Sequence, residues 1–122
     1  MTPKKNTSSF PIDMETIDNI DKTLHDPSRL KIIAYLYSLK ETDFTYLKIQ
    51  TGFSWGRLAS HLDKLQEVGY VELKKELIQK KRSSKKTPRT YISLTNEGRR
   101  AFDRYRNSMQ QLLQLGSEKS EG

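Results

Sequence analysis

The chain has 122 residues, 34% hydrophobic and 30% charged, which is enough apolar side chain for one core and too little for two. It contains no cysteine, which excludes disulfides, zinc ribbons and thiol chemistry, and no apolar run approaches the ~20 residues of a bilayer span. The formal net charge is +7, so an anionic partner is expected, provided the charge is gathered in one place.

Residues 1–11, rich in Lys, Thr, Ser and Pro, read as a disordered tail, and "MTPKKNTSSF" lacks the apolar centre of a signal peptide, so a cytoplasmic protein is expected. Residues 116–122 read as a second disordered tail, leaving 12–115 as one domain. From Asp13 to Leu24, Ile17, Ile20 and Leu24 fall at i, i+3 and i+7 with Asp13, Glu15, Asp18 and Asp21 opposite them, the pattern of an amphipathic helix. A second helix restarts in "HDPSRLKIIAYLYSL", where Asp26 can cap and Pro27 suits the first helical position. Its apolar residues Leu30, Ile33, Ala34 and Tyr37, with Ile32 and Leu36 on another side, predict a central buried helix.

"ETDFTYLKIQTG" predicts a two-turn helix with Phe44, Leu47 and Ile49 inward and Gly52 as its stop. Ser54 is placed to cap the next helix, "WGRLASHLDKLQEVG", which ends at Gly69. Two helices joined by a tight glycine-containing turn form a helix-turn-helix candidate. The period then changes to two: Val71 and Leu73 alternate with polar residues, and "RTYISLT" alternates again with Ile92 and Leu94 on one side. Between and within these strands lies the charge. From Lys74 to Arg89 stand eight Lys or Arg against one Glu, and the remaining chain holds fourteen residues of each sign. Thr95 can cap a last helix with Glu97 in its first turn, in which Phe102, Tyr105, Met109 and Leu112 recur on one face, joined by Leu113.

Two constellations bear on function. In the helix after Ser54, Leu58, Leu62 and Leu65 form a core stripe, while Arg57, Ser60, His61 and Lys64 gather on another face about 120° away. A narrow helix with Arg, Ser, His and Lys outward suits base edges and phosphates in a major groove. An ordinary solvated face has the same composition, and the position beside a basic hairpin favours the groove. The basic window alone also fits a nuclear localisation signal or a solvated charge run, but flanking strands argue against a detached tail, and the absence of an apolar face argues against a membrane. His25 and His61 stand far apart with no ligand cluster around them, and no phosphate loop or catalytic grouping stands out, so no metal, cofactor or enzymatic activity is expected.

"DPSRLKIIAYL", "DFTYLKIQTGFSWGRLASHLDKLQEVGYVEL" and "PRTYISLTNEGRRAF" occur in an order that resembles winged helix-turn-helix transcriptional regulators, in particular small single-domain relatives of the multiple-antibiotic-resistance (MarR) and arsenic-repressor (ArsR) types. The resemblance spans roughly residues 16 to 113. It implies a mainly helical α+β fold: a winged helix-turn-helix with a two-stranded hairpin wing and N- and C-terminal dimerisation helices. It further implies double-stranded DNA as partner, a homodimer on a palindromic or pseudo-palindromic operator, recognition-helix contacts from Ser54, Trp55, Arg57, Ser60, His61 and Lys64, and wing contacts from Lys81, Arg82, Lys85, Lys86 and Arg89. Dimer contacts would come from Ile17, Ile20, Leu24, Phe102, Tyr105, Met109, Leu112 and Leu113. A small effector in a crevice lined by Tyr35, Tyr37 and Tyr105 is also implied. The wing is longer than the family's usual short hairpin and has no Gly at its tip, and Trp55 suits either core packing or the groove edge. The alternative is a winged-helix module that binds protein or RNA without operator specificity.

Overall fold

The computed structural model describes residues 14–79 and 86–121, with side chains up to residue 114. The expected tail 1–11 therefore lies outside the described residues. The first helix, α1 (Met14–Asp18), is only five residues long, and the chain then turns. Asp21 explains the early end of the helix expected over 13–24: its carboxylate accepts from the backbone N–H groups of Thr23 (2.9 Å) and Leu24 (3.1 Å), a local bond that competes with helical pairing. Leu24 still enters the core, fully buried.

α2 (Pro27–Ser38) starts as its sequence predicts, with Asp26 accepting from Arg29 N–H at 2.9 Å and Pro27 in the first turn. Ile32, Ile33 and Leu36 are its buried residues, so α2 is the central helix, while Ala34 is exposed. The segment expected as the start of a third helix is instead a strand, β1 (Glu41–Asp43), paired antiparallel with β3 (Lys86–Leu94) through Thr42 and Ile92. The sheet therefore has three strands, ordered β1-β3-β2, where β2 is Val71–Gln79. Asp43 ends β1 and caps α3 (Phe44–Thr51) by accepting from Tyr46 N–H at 2.7 Å. Leu47 and Thr51 face inward; Ile49, expected inward, is 66% exposed, because two turns have room for only one narrow buried stripe.

Gly52 ends α3 at φ 76°, in the left-handed region that glycine enters without strain. α4 (Trp55–Glu67) follows, with Ser54 as its cap and Leu58, Leu62 and Leu65 fully buried. β2 and β3 pair antiparallel from Val71↔Leu94 out to Gln79↔Lys86, so the hairpin is longer than the alternation at 89–95 alone predicts. Thr95 ties its base to α5 (Asn96–Glu121): its hydroxyl donates to Gly69 C=O (2.6 Å) and accepts from Gly98 N–H (2.9 Å). Gly98 passes against the backbone of Tyr70 and the Leu94 side chain, leaving no room for a Cβ.

α5 packs its first turns on α2 and then outruns the core, through the stretch 116–121 expected as a tail. Of the residues expected at a dimer surface, Leu24, Phe102 and Tyr105 are buried in the chain's own core, and Ile20 and Met109 pack against it. This follows from α2 lying between the two chain ends and covering the first half of the α5 stripe. Leu112 is half-buried, and Ile17 and Leu113 remain exposed.

Candidate nucleic-acid interface

α4 turns its leucine stripe inward, which leaves Arg57, Ser60 and Lys64 exposed and His61 half-buried on the opposite side. The Ser54 hydroxyl accepts from Arg57 N–H at 3.2 Å, so its first structural task is to start the helix. The Arg57 guanidinium lies 4.2 Å from the centre of the Phe53 ring, and its Nη2 donates to Ser28 Oγ at 2.6 Å. Lys31 stands over the same ring at 5.4 Å and donates to Thr51 C=O at 2.9 Å. His61 tilts against Phe53 at 6.1 Å. Phe53, 7% exposed, is thus the base on which three cationic or ionisable side chains from α2 and α4 assemble.

Asp26 sits behind this group. Its carboxyl is held below the usual range, chiefly by the N–H bond from Arg29 and, more weakly, by the fields of Arg29 and His61. Trp55 resolves to the surface: it is 55% exposed, stacked on Phe44 at 5.4 Å and 7°, with Lys48 Nζ 5.0 Å from its ring. A cleft of about 420 Å3 lined by Phe44, Trp55, Thr87 and Arg89, among others, joins the start of α4 to β3 of the wing. Lys64 makes a long exposed ion pair with Glu67, at 3.8 Å.

In the wing, Lys86 and Arg89 are exposed on β3, whereas Lys81, Arg82 and Lys85 lie outside the described residues. Arg89 contacts Asp43 at 3.8 Å and Lys74 contacts Glu76 at 3.3 Å. The Lys74 pair is solvated and the Arg89 guanidinium is half-exposed at a long 3.8 Å, so each pair contributes little and leaves its cation open to a phosphate. Ser28, Lys31 and Lys48 join the interface without a sequence signal of their own, because α2 and α3 bring them to α4 only in the folded chain.

The three tyrosines expected to line one crevice do not converge. Tyr35 packs on Tyr46 at 6.3 Å, Tyr37 donates to Asp103 at 2.8 Å, and Tyr105 bonds His25 at 3.0 Å. Tyr70 donates to Asp21, and burial, reinforced by that carboxylate, pushes its hydroxyl up to about 12. Among the described residues no group of three or more His, Asp or Glu is placed to hold a metal ion, and no helix is long and apolar enough to cross a membrane.

A buried central helix, a second helix pair joined through Gly52, and a long hairpin projecting beside the exposed face of α4 together define a winged helix-turn-helix. Residues 28–113 match the family described as winged helix DNA-binding domain, and the chain belongs to that family. The uncharacterized protein MJ0432 of Methanocaldococcus jannaschii is 40% identical over 94 residues, 77% of this chain and 92% of its own. The transcriptional regulator homologue protein of Pyrococcus horikoshii OT3 superposes with a TM-score of 0.73 at 25% identity, over 83% of this chain and 96% of that one. A MarR-family transcriptional regulator from Silicibacter pomeroyi shares the fold at a TM-score of 0.52 and 23% identity, over 80% of this chain and 63% of its own. The chain is a winged-helix DNA-binding regulator.

Proposed function

We propose that the protein is a cytoplasmic, sequence-specific regulator that binds a palindromic or pseudo-palindromic operator as a homodimer, with α4 in the major groove and the wing along the minor groove and backbone. The observation that carries this reading is the division of α4 into a fully buried leucine stripe and a polar face bearing Arg57, Ser60, His61 and Lys64, set beside a hairpin whose residues 74–89 hold the chain's whole net charge. Ser54, Trp55 and the α4 face contact the groove; Lys81, Arg82, Lys85, Lys86 and Arg89 contact phosphates. The dimer is supported by an apolar groove of about 710 Å3 between α2 and α5, lined by Leu30, Ala34, Met109 and Leu113 among others. A second copy crossing there as an isologous pair covers Leu113, and Ile17 at the other chain end is free to join it. Tyr35, Tyr37 and Tyr105 engage separate partners and do not line one effector crevice.

Sites selected from random DNA by the purified protein test the proposal. The selected sites are expected to contain inverted half-sites about one helical turn apart. With about four phosphates neutralised per subunit, log affinity should fall with log salt at a slope of about −7. A random duplex that competes as well as a selected one would replace this reading with the module that binds protein or RNA.

A further inference from the structure

Arg57 lies on an exposed helix face, where a long side chain ordinarily samples many rotamers, yet both its ring contact and its hydrogen bond are to residues anchored outside α4. Phe53 is nearly buried, and its backbone N–H is bound by the Thr51 hydroxyl at 3.3 Å in the turn between α3 and α4. Ser28 sits in the first turn of α2, fixed by the Asp26 cap. The guanidinium carbon lies 4.2 Å from the Phe53 ring centre and Nη2 is bound to Ser28 at 2.6 Å, two contacts from different directions that together restrict the orientation of the group. A guanidinium carries five N–H donors in a rigid fork. Ser28 engages one of these, on Nη2, leaving four, among which one hydrogen on each Nη can supply the two parallel donors that match guanine O6 and N7.

We infer that Ser28 is a positioning residue for base recognition: with Phe53 it restricts the orientation of Arg57 so that Arg57 reads a G·C pair in each half-site. This rests on the operator-binding reading above. Ser28 contributes no charge, so its replacement should leave the salt slope unchanged. Its replacement leaves the Asp26 cap of α2 intact, which keeps the fold out of the comparison.

The test measures affinities of the full chain for a selected operator and for variants with each G·C pair replaced in turn, at several salt concentrations. For the wild type, one replacement per half-site should cost about 5- to 150-fold. Arg57→Ala should abolish that discrimination. Ser28→Ala should reduce it several-fold with an unchanged salt slope, Ser28→Thr should preserve it, and Ser28→Ala combined with Arg57→Ala should lose no more than Arg57→Ala alone. Discrimination that survives Ser28→Ala but not Arg57→Ala overturns the role of Ser28. Equal weakening of every duplex by Arg57→Ala makes Arg57 a phosphate contact and also overturns it. A wild-type protein that does not prefer its selected site to random duplex instead overturns the operator-binding reading itself.

Discussion

α4 and the β2–β3 wing lie side by side and are built by opposite means. α4 has three fully buried leucines, a serine cap, and an arginine held by a ring and a hydroxyl from elsewhere in the fold. Beyond Val71 and Ile92 no described residue of the hairpin is fully buried; its outer half carries Lys75, Lys86 and Arg89 on a ladder of backbone bonds. Packing gives α4 a fixed geometry, which reading base edges requires. The wing has charge with little packing, which suits phosphates, because a phosphate tolerates a range of donor positions.

This contrast can be broken first at the level of stability. Leu62→Ala on α4 should cost about 2–5 kcal/mol in chemical denaturation, whereas Leu77→Ala, at a wing residue 65% exposed, should fall within about 0.5 kcal/mol. Similar losses at both positions would mean that the wing is packed as tightly as the helix. Next in size is the joint between wing and α5. Gly98→Ala forces a methyl group against Tyr70 C=O and Leu94, and a loss of about 1–3 kcal/mol is expected in the same denaturation experiment.

A smaller effect probes the platform behind Arg57. Asp26→Ala removes the α2 cap and should cost about 1 kcal/mol near neutral pH. Because the folded carboxyl lies below its ordinary 3.8, this contribution is present above that value and lost as pH falls through the lower folded one. Wild type and variant should therefore converge in stability under acid. At the wing base the sign reverses. Tyr70 is raised from 10.0 to about 12, so its contribution is present below 10 and lost as pH rises through 12. Tyr70→Phe should flatten the alkaline limb of a stability–pH profile.

The features legible in the sequence were those whose signal is local. The Leu58, Leu62 and Leu65 stripe, the caps at Asp26, Ser54 and Thr95, and the stop at Gly52 each depend on neighbours a turn away, and the structure places them as their spacing predicts. β1 was not legible because three residues become a strand only through pairing with Tyr91, Ile92 and Ser93, some fifty positions later. The early end of α1 depends on the side chain of Asp21, which periodicity assigns merely to a solvent face. Periodicity also finds the apolar face holding Phe102 and Tyr105 but not what covers it, and α2 covers it within the same chain. Arg57 was legible as a candidate; its mooring to Ser28, 29 positions away, was not.

The most direct test of the division between fixed reader and adaptable charge is a salt titration of operator and random-duplex affinity for Arg57→Ala and Lys86→Ala in parallel. Arg57→Ala should lose about 1–3 kcal/mol on the operator and little on random DNA, with the salt slope retained. Lys86→Ala should weaken both duplexes alike and reduce the slope by about 1 per subunit. If the two variants lose operator and random affinity in the same ratio, the helix and the wing do not divide the interface in this way.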